Sequence, residues 1–158
     1  MIEGIKLFYP SRFEDFRGDI YTTWEKNKYP ELNWRLDKFS HSSKNTLRGL
    51  HGDYDTWKLV QCVHGKFYLV VADNRKDSKT YKQWNWFICS SENRSQVLIP
   101  PGCGNGHFVL SDECAFHYKL AFDGDYNDVE NQFVIKWNDP EWSFEWPHDN
   151  PILFGRDR

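Results

Sequence analysis

The stretch Leu47–Asp53 has the residue types and the spacing best suited to chemistry in this chain. It places Arg48 and His51 three residues apart, with glycines between and after them, and an apolar, strand-like run over 58–72 follows. We therefore expect both side chains to lie where a strand enters a pocket. A guanidinium at such a place can hold an anion through paired hydrogen bonds, and an imidazole can accept and return a proton.

Lys58, at the start of the apolar run, adds a second cation close to His51 in the sequence. Positive charge beside an uncharged base suits an anionic substrate. The cations attract the anionic group of the substrate and stabilise the negative charge that develops during the reaction. The alternative is a solvated strand end with ordinary surface charges, since a lone histidine is more often structural or exposed than catalytic. The residues alone leave both interpretations open.

Three further places carry candidate residues. Alternation along one strand-like segment sends His117 and Lys119 to one face and Tyr118 to the other, where Tyr118 taken alone is a core tyrosine. Three glycines within 102–106 would let the backbone approach a ligand closely, although a tight turn explains them nearly as well. Asp157 is the penultimate residue, and a residue so close to a terminus is normally frayed and solvated.

Short strands are the elements that must position these side chains. Apolar and aromatic segments alternate with clusters of Gly, Pro, Asp and Asn, and no window shows a helical period over three turns. The strand-like segments are 20–24, 35–43, 58–63, 66–72, 84–89, 96–99, 107–110, 114–122 and 132–137. For a chain of 158 residues, this pattern predicts one domain, 1–158, with an all-β fold: an antiparallel jelly roll with little helix.

Composition narrows the function classes. A formal net charge of −3 argues against a nucleic-acid-binding face, and no apolar run approaches the length needed to cross a membrane. The N-terminus lacks the apolar core of a signal peptide, and the four cysteines show no CxxC spacing. We expect reduced, mostly buried thiols in a cytoplasmic protein. Aromatic residues make up 18% of the chain, so some are expected to line a pocket or a subunit interface.

A metal site is the less favoured alternative for the pocket. Jelly-roll barrels often hold a metal through a His-x-His pair with a later Glu and His, but the second histidine of that pair is Asp53 here. His51, Asp53, His107 and His117 could still meet in space and supply nitrogen and oxygen ligands. Since no complete ligand motif is present, we predict neither a metal nor another cofactor.

A series of short motifs runs in order along nearly the whole chain. They are Asp15-x-Arg17-Gly18; Leu47-Arg48-Gly49-Leu50-His51; Lys58-Leu59-Val60 with Gly65; Val70-Val71-Ala72-Asp73-x-Arg75-x-Asp77-Ser78-x-Thr80; Ser91-Glu92-Asn93; Ile99-Pro100-x-Gly102; Tyr118-Lys119; Trp137-Asn138-Asp139-Pro140; and Trp146-Pro147 with Pro151-Ile152-Leu153-x-x-x-Asp157. Together they resemble the dTDP-4-dehydrorhamnose 3,5-epimerases, metal-free cupins of sugar-nucleotide metabolism. The resemblance implies a cupin jelly-roll barrel.

The resemblance also implies roles for single residues. His51 matches the catalytic base of the family, and Asp157 matches the carboxylate that pairs with it, so the tail is expected to fold back onto the barrel. Tyr118 matches the acid on the other side of the sugar ring. Lys58 matches the lysine near the keto oxygen of the substrate.

Further implications concern binding and assembly. Arg48 and Arg17 match positions that hold the nucleotide diphosphate or its surroundings. Members of the family form homodimers that exchange N-terminal strands, so Arg17 would act in the pocket of the partner. The substrate would be a nucleotide-diphosphate sugar, and no metal or redox cofactor would be required.

Several positions depart from the family pattern. Asp53 and Asn105 replace a family Gln and His, Thr22 replaces a Glu that contacts thymine, and Leu36 and Lys38 replace a Gln and an Asn near the substrate. These differences count against a thymine nucleotide. They resemble instead a sister group of epimerases that act on GDP-4-keto-6-deoxy-heptoses for bacterial capsule polysaccharides. The motifs shared with that group are His51-Gly52-Asp53, Gly104-Asn105-x-His107, Gly124-Asp125-Tyr126-x-Asp128 and Gln132.

The expected function is therefore inversion of C3, C5 or both in an NDP-4-keto-6-deoxy sugar. Asp53, Asn105 and His107 are the candidates for replacing the lost substrate contacts. Two alternatives stay open: a 3,4-ketoisomerase that would move the carbonyl of a similar sugar, and a non-enzymatic cupin that only binds sugar nucleotides. The nucleotide base, the sugar length and the number of inverted carbons are also left open by the sequence.

Overall fold

A computed structural model describes residues 1–158 as two five-stranded antiparallel sheets and a separate N-terminal hairpin. The strands are β1 (Lys6–Phe8), β2 (Arg12–Asp15), β3 (Gly18–Tyr21), β4 (Trp34–Ser43), β5 (Leu47–Gly52), β6 (Trp57–His64), β7 (Lys66–Asp73), β8 (Trp84–Ser90), β9 (Gln96–Ile99), β10 (Cys103–Val109), β11 (Glu113–Ala121) and β12 (Phe133–Val134). The helical segments are single 3-10 turns, Val129–Asn131 and Gly155–Asp157. The predicted all-β fold is confirmed.

The strand order is that of a jelly roll. The first sheet runs β1-β9-β6-β11-β4, the second runs β12-β5-β10-β7-β8, and β2 pairs only with β3. Every ladder is antiparallel. Consecutive strands repeatedly cross from one sheet to the other, so that β5, β6 and β7 alternate between sheets. Residues from distant parts of the chain thereby come to face one another across the barrel.

The core explains why β7 reads as a continuous apolar run. Phe67, Leu69 and Val71 pack between the two sheets, in a cluster with residues of the first sheet. The intervening residues, such as Tyr68 and Val70, pack on the opposite face against the C-terminal segment. A strand covered on both faces loses its polar alternation. Each large apolar side chain buried in this way contributes about 1.5–3 kcal/mol to folding.

The C-terminal segment covers the second sheet. Trp142 is buried in the outer cluster, and Trp137, Phe144 and Trp146 pack against it. The Trp146 Nε1 donates to the Trp137 carbonyl oxygen at 2.7 Å, so the indole nitrogen of this partly buried side chain is satisfied. The excess of aromatic residues is therefore used partly to seal this face.

The glycine-rich stretch after Pro101 is only in part the tight turn that the sequence left open as an alternative to ligand approach. The turn ends at Gly102, which has a φ of +79°, and Cys103–Val109 forms strand β10. A Cβ on Gly49 would lie 2.5 Å from the Gly106 Cα, so these glycines permit close contact between β5 and β10. The glycines are therefore needed because two strands approach each other closely. Composition alone could not distinguish this requirement from that of a turn.

All four cysteines are buried and free, which agrees with the expectation of reduced, mostly buried thiols. The cytoplasmic location inferred from them stays a prediction. None of the helical segments has the length and apolar character needed to cross a bilayer.

Candidate active site

A cavity of about 550 Å³ is bounded by both sheets and the C-terminal tail. The residues that line it come from β4, β5, β6, β10, β11, the loop after β11 and the tail. They are Lys38, Ser40, Arg48, His51, Lys58, Asn105, His107, Phe116, Tyr118, Tyr126, Asp128, Val129, Gln132, Phe154, Gly155, Arg156 and Asp157. Seven of the nine residues singled out from the sequence are in this set.

His51 and Asp157 form the closest polar pair in the cavity. The His51 Nε2 lies 2.5 Å from the Asp157 Oδ1, and the two side chains are 20% and 10% exposed. The tail reaches this position because Ile152 pairs with the start of β5: its amide donates to Asn45 at 2.8 Å, and its carbonyl accepts from Leu47 at 3.0 Å. Asp157 is therefore not frayed.

The pair fixes the chemistry of the imidazole. An ionised carboxylate can only accept a hydrogen bond, so the proton on His51 lies on Nε2, next to Asp157. The other nitrogen, Nδ1, then carries a free lone pair. A carboxylate on one side of the ring holds the tautomer and stabilises the cation that forms when Nδ1 takes up a proton.

Lys58 brings a buried ammonium group beside this pair. Its Nζ donates to the Asn105 Oδ1 at 2.9 Å and to the His51 carbonyl oxygen at 3.2 Å. Burial lowers the pKa of Lys58 to about 8, and the nearby charge of Asp53 opposes part of that shift. An ammonium has three donors, so one remains for a group bound in the cavity.

Tyr118 borders the cavity from the facing sheet. It lies on β11, whereas His51 lies on β5, and both residues line the same space. Burial raises the pKa of Tyr118, and neighbouring Tyr126 adds to that effect. The Tyr118 ring also packs against Phe116 with centroids 5.3 Å apart, so it contacts the core and the cavity together.

His107 is a buried histidine without a charged partner. Its ring stacks on Phe116 with centroids 4.2 Å apart and planes 11° apart, and its Nε2 has no hydrogen-bond partner. Burial lowers the pKa of His107 to about 3, with the charge of Arg48 adding to the effect. His107 is therefore a neutral group at physiological pH, and it borders the cavity.

Positive charge gathers on the side of the cavity formed by β4 and β5. The Arg48 Nε donates to the Ser42 Oγ at 2.9 Å, and Arg48 lines the cavity. Lys38 lines the same side, with its Nζ 3.7 Å from the Asp128 Oδ1 and 4.3 Å from the centre of the Tyr126 ring. This charge distribution suits an anionic ligand.

Two of the residues singled out from the sequence do not line this cavity. Asp53 is buried, and its Oδ1 accepts from the amides of Asp55 and Thr56 at 2.9 and 2.7 Å, so it orders the turn after β5 rather than facing a ligand. Arg17 lies at the tip of the β2–β3 hairpin, where its Nη2 is 2.6 Å from the Asp15 carboxylate. Within this chain, it is outside the set that borders the cavity.

The four candidate metal ligands also do not converge. His117 lies on the other face of β11, where its Nε2 contacts Asp37 at 2.9 Å and its Nδ1 contacts Gln61 at 2.7 Å. No group of three or more His, Cys, Asp or Glu side chains is arranged to hold a metal ion. The metal alternative therefore lacks a ligand set. Because His117 and Tyr118 lie on opposite faces of β11, the alternation predicted for this strand is confirmed.

Other lining residues had no role assigned from the sequence. Tyr126, Asp128 and Gln132 belonged to a motif shared with the sister group, but their position at the cavity was not predicted. Arg156 had only one sequence signal, its place next to Asp157. A signal for Lys38 was present in the alternation of β4, which sends Lys38 and Ser40 to one face.

Comparison with known proteins gives a consistent result. The sequence model of the family described as dTDP-4-dehydrorhamnose 3,5-epimerase matches residues 1–158. The chain is 34% identical over 160 residues to the dTDP-4-dehydrorhamnose 3,5-epimerase of Escherichia coli (strain K12), covering 96% of this chain and 85% of that protein. It is 35% identical over 164 residues to that of Shigella flexneri, covering 99% and 89%.

Solved structures agree with this similarity. The crystal structure of dTDP-4-dehydrorhamnose 3,5-epimerase from Bacillus anthracis, with TDP and PPi bound, matches with a TM-score of 0.93 and 33% identity over 98% of this chain and 91% of that chain. The epimerase from Legionella pneumophila, in complex with dTDP-4-keto-L-rhamnose, matches with a TM-score of 0.90 and 33% identity, covering 99% and 85%. The chain belongs to the dTDP-4-dehydrorhamnose 3,5-epimerase family and is a carbohydrate epimerase of the cupin jelly-roll fold.

Proposed function

We propose that this enzyme inverts C3, C5 or both in an NDP-4-keto-6-deoxy sugar, with His51 as the base and Tyr118 as the acid. The observation that carries the proposal is the arrangement of one cavity. The carboxylate-paired His51 lies on β5, and Tyr118 lies on β11 of the facing sheet. Inversion of a carbon requires proton removal on one face of the sugar and proton return on the other, which two groups on opposing sheets can provide.

Proton removal is the first step. The carbon beside the C4 ketone loses its hydrogen as a proton to the His51 Nδ1, and the electron pair of the C–H bond moves to the keto oxygen to give an enolate. Asp157 accepts from the His51 Nε2 at 2.5 Å and stabilises the imidazolium that results.

The enolate needs positive charge near its oxygen, and Lys58 is the group proposed to supply it. With a pKa of about 8, its ammonium group is mostly protonated at neutral pH despite burial. Asn105 holds the Lys58 Nζ at 2.9 Å and thereby directs it. A fixed charge of this kind in a water-poor site contributes several kcal/mol to transition-state stabilisation, on the order of 3 kcal/mol for one donor.

Proton return completes the inversion. The Tyr118 O–H bond breaks as its proton passes to the opposite face of the carbon, and the enolate collapses to the ketone. Solvent then returns a proton to the phenolate and takes up the proton that His51 removed, which restores both groups. The raised pKa of Tyr118, which comes mainly from burial, keeps the phenol protonated and available as a donor before this step.

Binding of the nucleotide diphosphate is assigned to the cationic side of the cavity. Arg48 would contact the diphosphate, with Lys38 close by. Arg17 would act from a partner subunit in a homodimer with exchanged N-terminal strands. An apolar patch on the β2–β3 hairpin supports that assembly: Phe13, Phe16 and Ile20 are 77%, 98% and 72% exposed. An exposed apolar patch of this kind is expected to be covered by a partner.

GDP-4-keto-6-deoxy-heptose is the favoured substrate, within a capsule polysaccharide pathway. Asn105 and His107 line the cavity and are the groups proposed to contact the sugar in place of the residues that the family usually has. The neutral, unpaired Nε2 of His107 can exchange a hydrogen bond with a sugar hydroxyl group. Asp53 is proposed to support the site indirectly, through the turn that follows β5.

Solvent-deuterium uptake tests the proposal. The enzyme is incubated in D₂O with GDP-4-keto-6-deoxy-heptose or dTDP-4-keto-6-deoxy-glucose, and mass spectrometry and carbon NMR of the product follow. Deuterium at C3, C5 or both with an intact C4 ketone supports epimerisation, and faster uptake with the GDP sugar supports the favoured substrate. A carbonyl at C3 would instead identify a 3,4-ketoisomerase, and tight binding without deuterium would identify a binding protein.

Tyr118→Phe provides the test of the acid. Proton removal by His51 does not need the phenol, whereas proton return to the opposite face does. The variant is therefore expected to lose inversion by about 10²-fold or more, and the loss should be greater at one carbon than at the other. Equal loss at both carbons, or no loss, would remove Tyr118 from its role as a face-specific acid.

A further inference from the structure

We propose that Arg156 is a positioning residue, which clamps the C-terminal tail so that Asp157 meets His51. The inference rests on the proposed function, in which His51 is the base. The Arg156 Nη1 donates to the Val129 carbonyl oxygen at 2.9 Å, and its Nη2 donates to the Gln132 Oε1 at 3.0 Å. Both acceptors belong to the loop between β11 and β12, so Arg156 joins the tail to that loop.

Beyond Leu153, which packs against the outer cluster, the only side-chain hydrogen bonds between the tail and the body of the protein are the His51–Asp157 contact and those of Arg156. Its last backbone pairing with the body of the protein is at Ile152. Phe154 is 86% exposed, and the 3-10 turn Gly155–Asp157 is closed by two long backbone bonds of 3.2 and 3.4 Å. Without Arg156, the His51–Asp157 contact alone would have to order this short segment, and the loss of conformational entropy costs about 1–2 kcal/mol per residue. The two hydrogen bonds of Arg156 offset part of that cost.

The loop that receives Arg156 is itself hydrogen-bonded to the turn that follows β5, the strand that carries His51. The Gln132 Nε2 donates to the Asn127 carbonyl oxygen at 2.9 Å, and the Asn127 Nδ2 donates to the Asp55 Oδ2 at 2.7 Å. Asp53 orders the same turn through the amide of Thr56. A closed path of contacts thus runs from β5 through the loop to the tail and back to His51.

This path gives a structural role to Asp53, which the sequence suggested as a substrate contact, and to Gln132, to which the sequence assigned no role. Asp53 and Gln132 distinguish the chain from the usual family pattern, and neither needs to touch the substrate to matter. Arg156 has two of its nitrogens engaged by protein acceptors, which leaves less of its fork for a phosphate group. Its charge also reaches Lys58, whose pKa it helps to lower after the larger effect of burial.

Kinetics of deuterium exchange distinguish a positioning role from substrate contact. Arg156→Ala is expected to lower kcat about 10–100-fold, the usual range for a residue that orients a catalytic group, with KM changed less than about threefold. Arg156→Lys keeps the charge and one donor nitrogen in place of the two that Arg156 uses, and should recover part of that loss. Arg158→Ala removes an equally charged side chain from the same tail, where Arg158 makes no side-chain hydrogen bond, and should stay within about twofold of the wild type.

A double variant tests whether Arg156 acts through Asp157. In an Asp157→Asn background, Arg156→Ala should cost less than about twofold, because the contact that it positions is already lost. Two losses that multiply, or a rise in KM with kcat unchanged, would overturn the proposal and assign Arg156 to the substrate.

An NMR measurement without substrate keeps this test independent of the proposed function. The ¹⁵N signals of the His51 ring should report a single Nε2–H tautomer in the wild type and in Arg158→Ala, and a mixture of tautomers in Arg156→Ala. A single unchanged tautomer in Arg156→Ala would overturn the clamp. If the wild type exchanged no deuterium into any 4-keto sugar, the proposed function would fail, while the tautomers would still decide the clamp.

Discussion

Two histidine–aspartate pairs in this protein have similar geometry and different surroundings. His51 and Asp157 meet at 2.5 Å in the cavity, and His117 and Asp37 meet at 2.9 Å on the outer face of the first sheet. In each pair, Nε2 faces a carboxylate oxygen. The nitrogen on the other side of the ring differs: the His117 Nδ1 accepts from the Gln61 Nε2 at 2.7 Å. His117 has no lone pair left for a substrate.

The carboxylates differ as well. Asp37 is 47% exposed and is shared with Lys119, whose Nζ donates to it at 2.9 Å. Burial alone would raise the pKa of Asp37, but hydrogen bonds from Lys119 and His117 lower it below its ordinary value. Asp157 is 10% exposed and faces His51. A base therefore requires more than an imidazole and a carboxylate: one nitrogen must stay free in a cavity that a substrate can enter.

The largest expected effect separates the two histidines. His51→Asn should lower deuterium exchange by about 10²–10⁴-fold, because it removes the base. His117→Asn should stay within about threefold, although its loss leaves Gln61 with an unpaired amide and should cost about 1–3 kcal/mol of stability. Exchange rates and urea unfolding measure both outcomes. Undiminished exchange in His51→Asn would contradict the mechanism.

The two aspartates provide the next contrast. Asp157→Asn keeps the shape of the side chain but presents a donor or a weaker acceptor to the ring, and we expect a loss of about 10²–10⁴-fold in kcat, as for a misplaced tautomer. Asp37→Asn should leave kcat within about twofold and lower stability by less than about 1 kcal/mol, the range for an exposed ion pair. Comparable kcat losses in both variants would erase the distinction between the pairs.

A pH profile tests the cation beside His51. Because the pKa of Lys58 is about 8, exchange should fall as the pH rises through 8 and the ammonium loses its proton. Stability should change in the opposite direction. Between pH 8 and 10.5 the unfolded chain binds the proton of Lys58 and the folded chain does not, so burial of this residue opposes folding progressively less as the pH rises. In Lys58→Met, exchange should be low at every pH, with no such decline near pH 8.

The smallest effect concerns His107, which has no carboxylate partner. Its folded-state pKa of about 3 lies below its ordinary value of 6.5, so between these limits the unfolded chain alone takes up the proton. Stability should therefore fall as the pH drops below 6.5, by about 2 kcal/mol at pH 5 from this residue. His107→Phe should show a smaller loss between pH 6.5 and 5 in urea unfolding. Equal losses in both proteins would mean that the ring is protonated in the folded state.

Strand patterns in the sequence were sufficient to predict much of the fold. Segments 66–72, 84–89 and 96–99 correspond closely to β7, β8 and β9, because apolar and β-branched runs bounded by turn residues have few other solutions. The prediction of a strand over 132–137 was less accurate, because only Phe133–Val134 forms a ladder. A strand at a sheet edge depends on the neighbour that it finds, and local residue types do not specify that neighbour.

Residue types and their spacing along the chain identify the chemical groups that are available: His51 between Arg48 and Lys58, an alternation that separates Tyr118 from His117, and motifs that indicate the family. The packing of the sheets and the tail selects which of these groups share a cavity. It brought Asp157 to His51 over a separation of 106 residues, sent Asp53 into a turn, and made Arg156 a neighbour of Gln132. The physical reason is that periodicity fixes the face of a strand on which a side chain lies, whereas contacts between distant segments depend on how sheets and tail pack together.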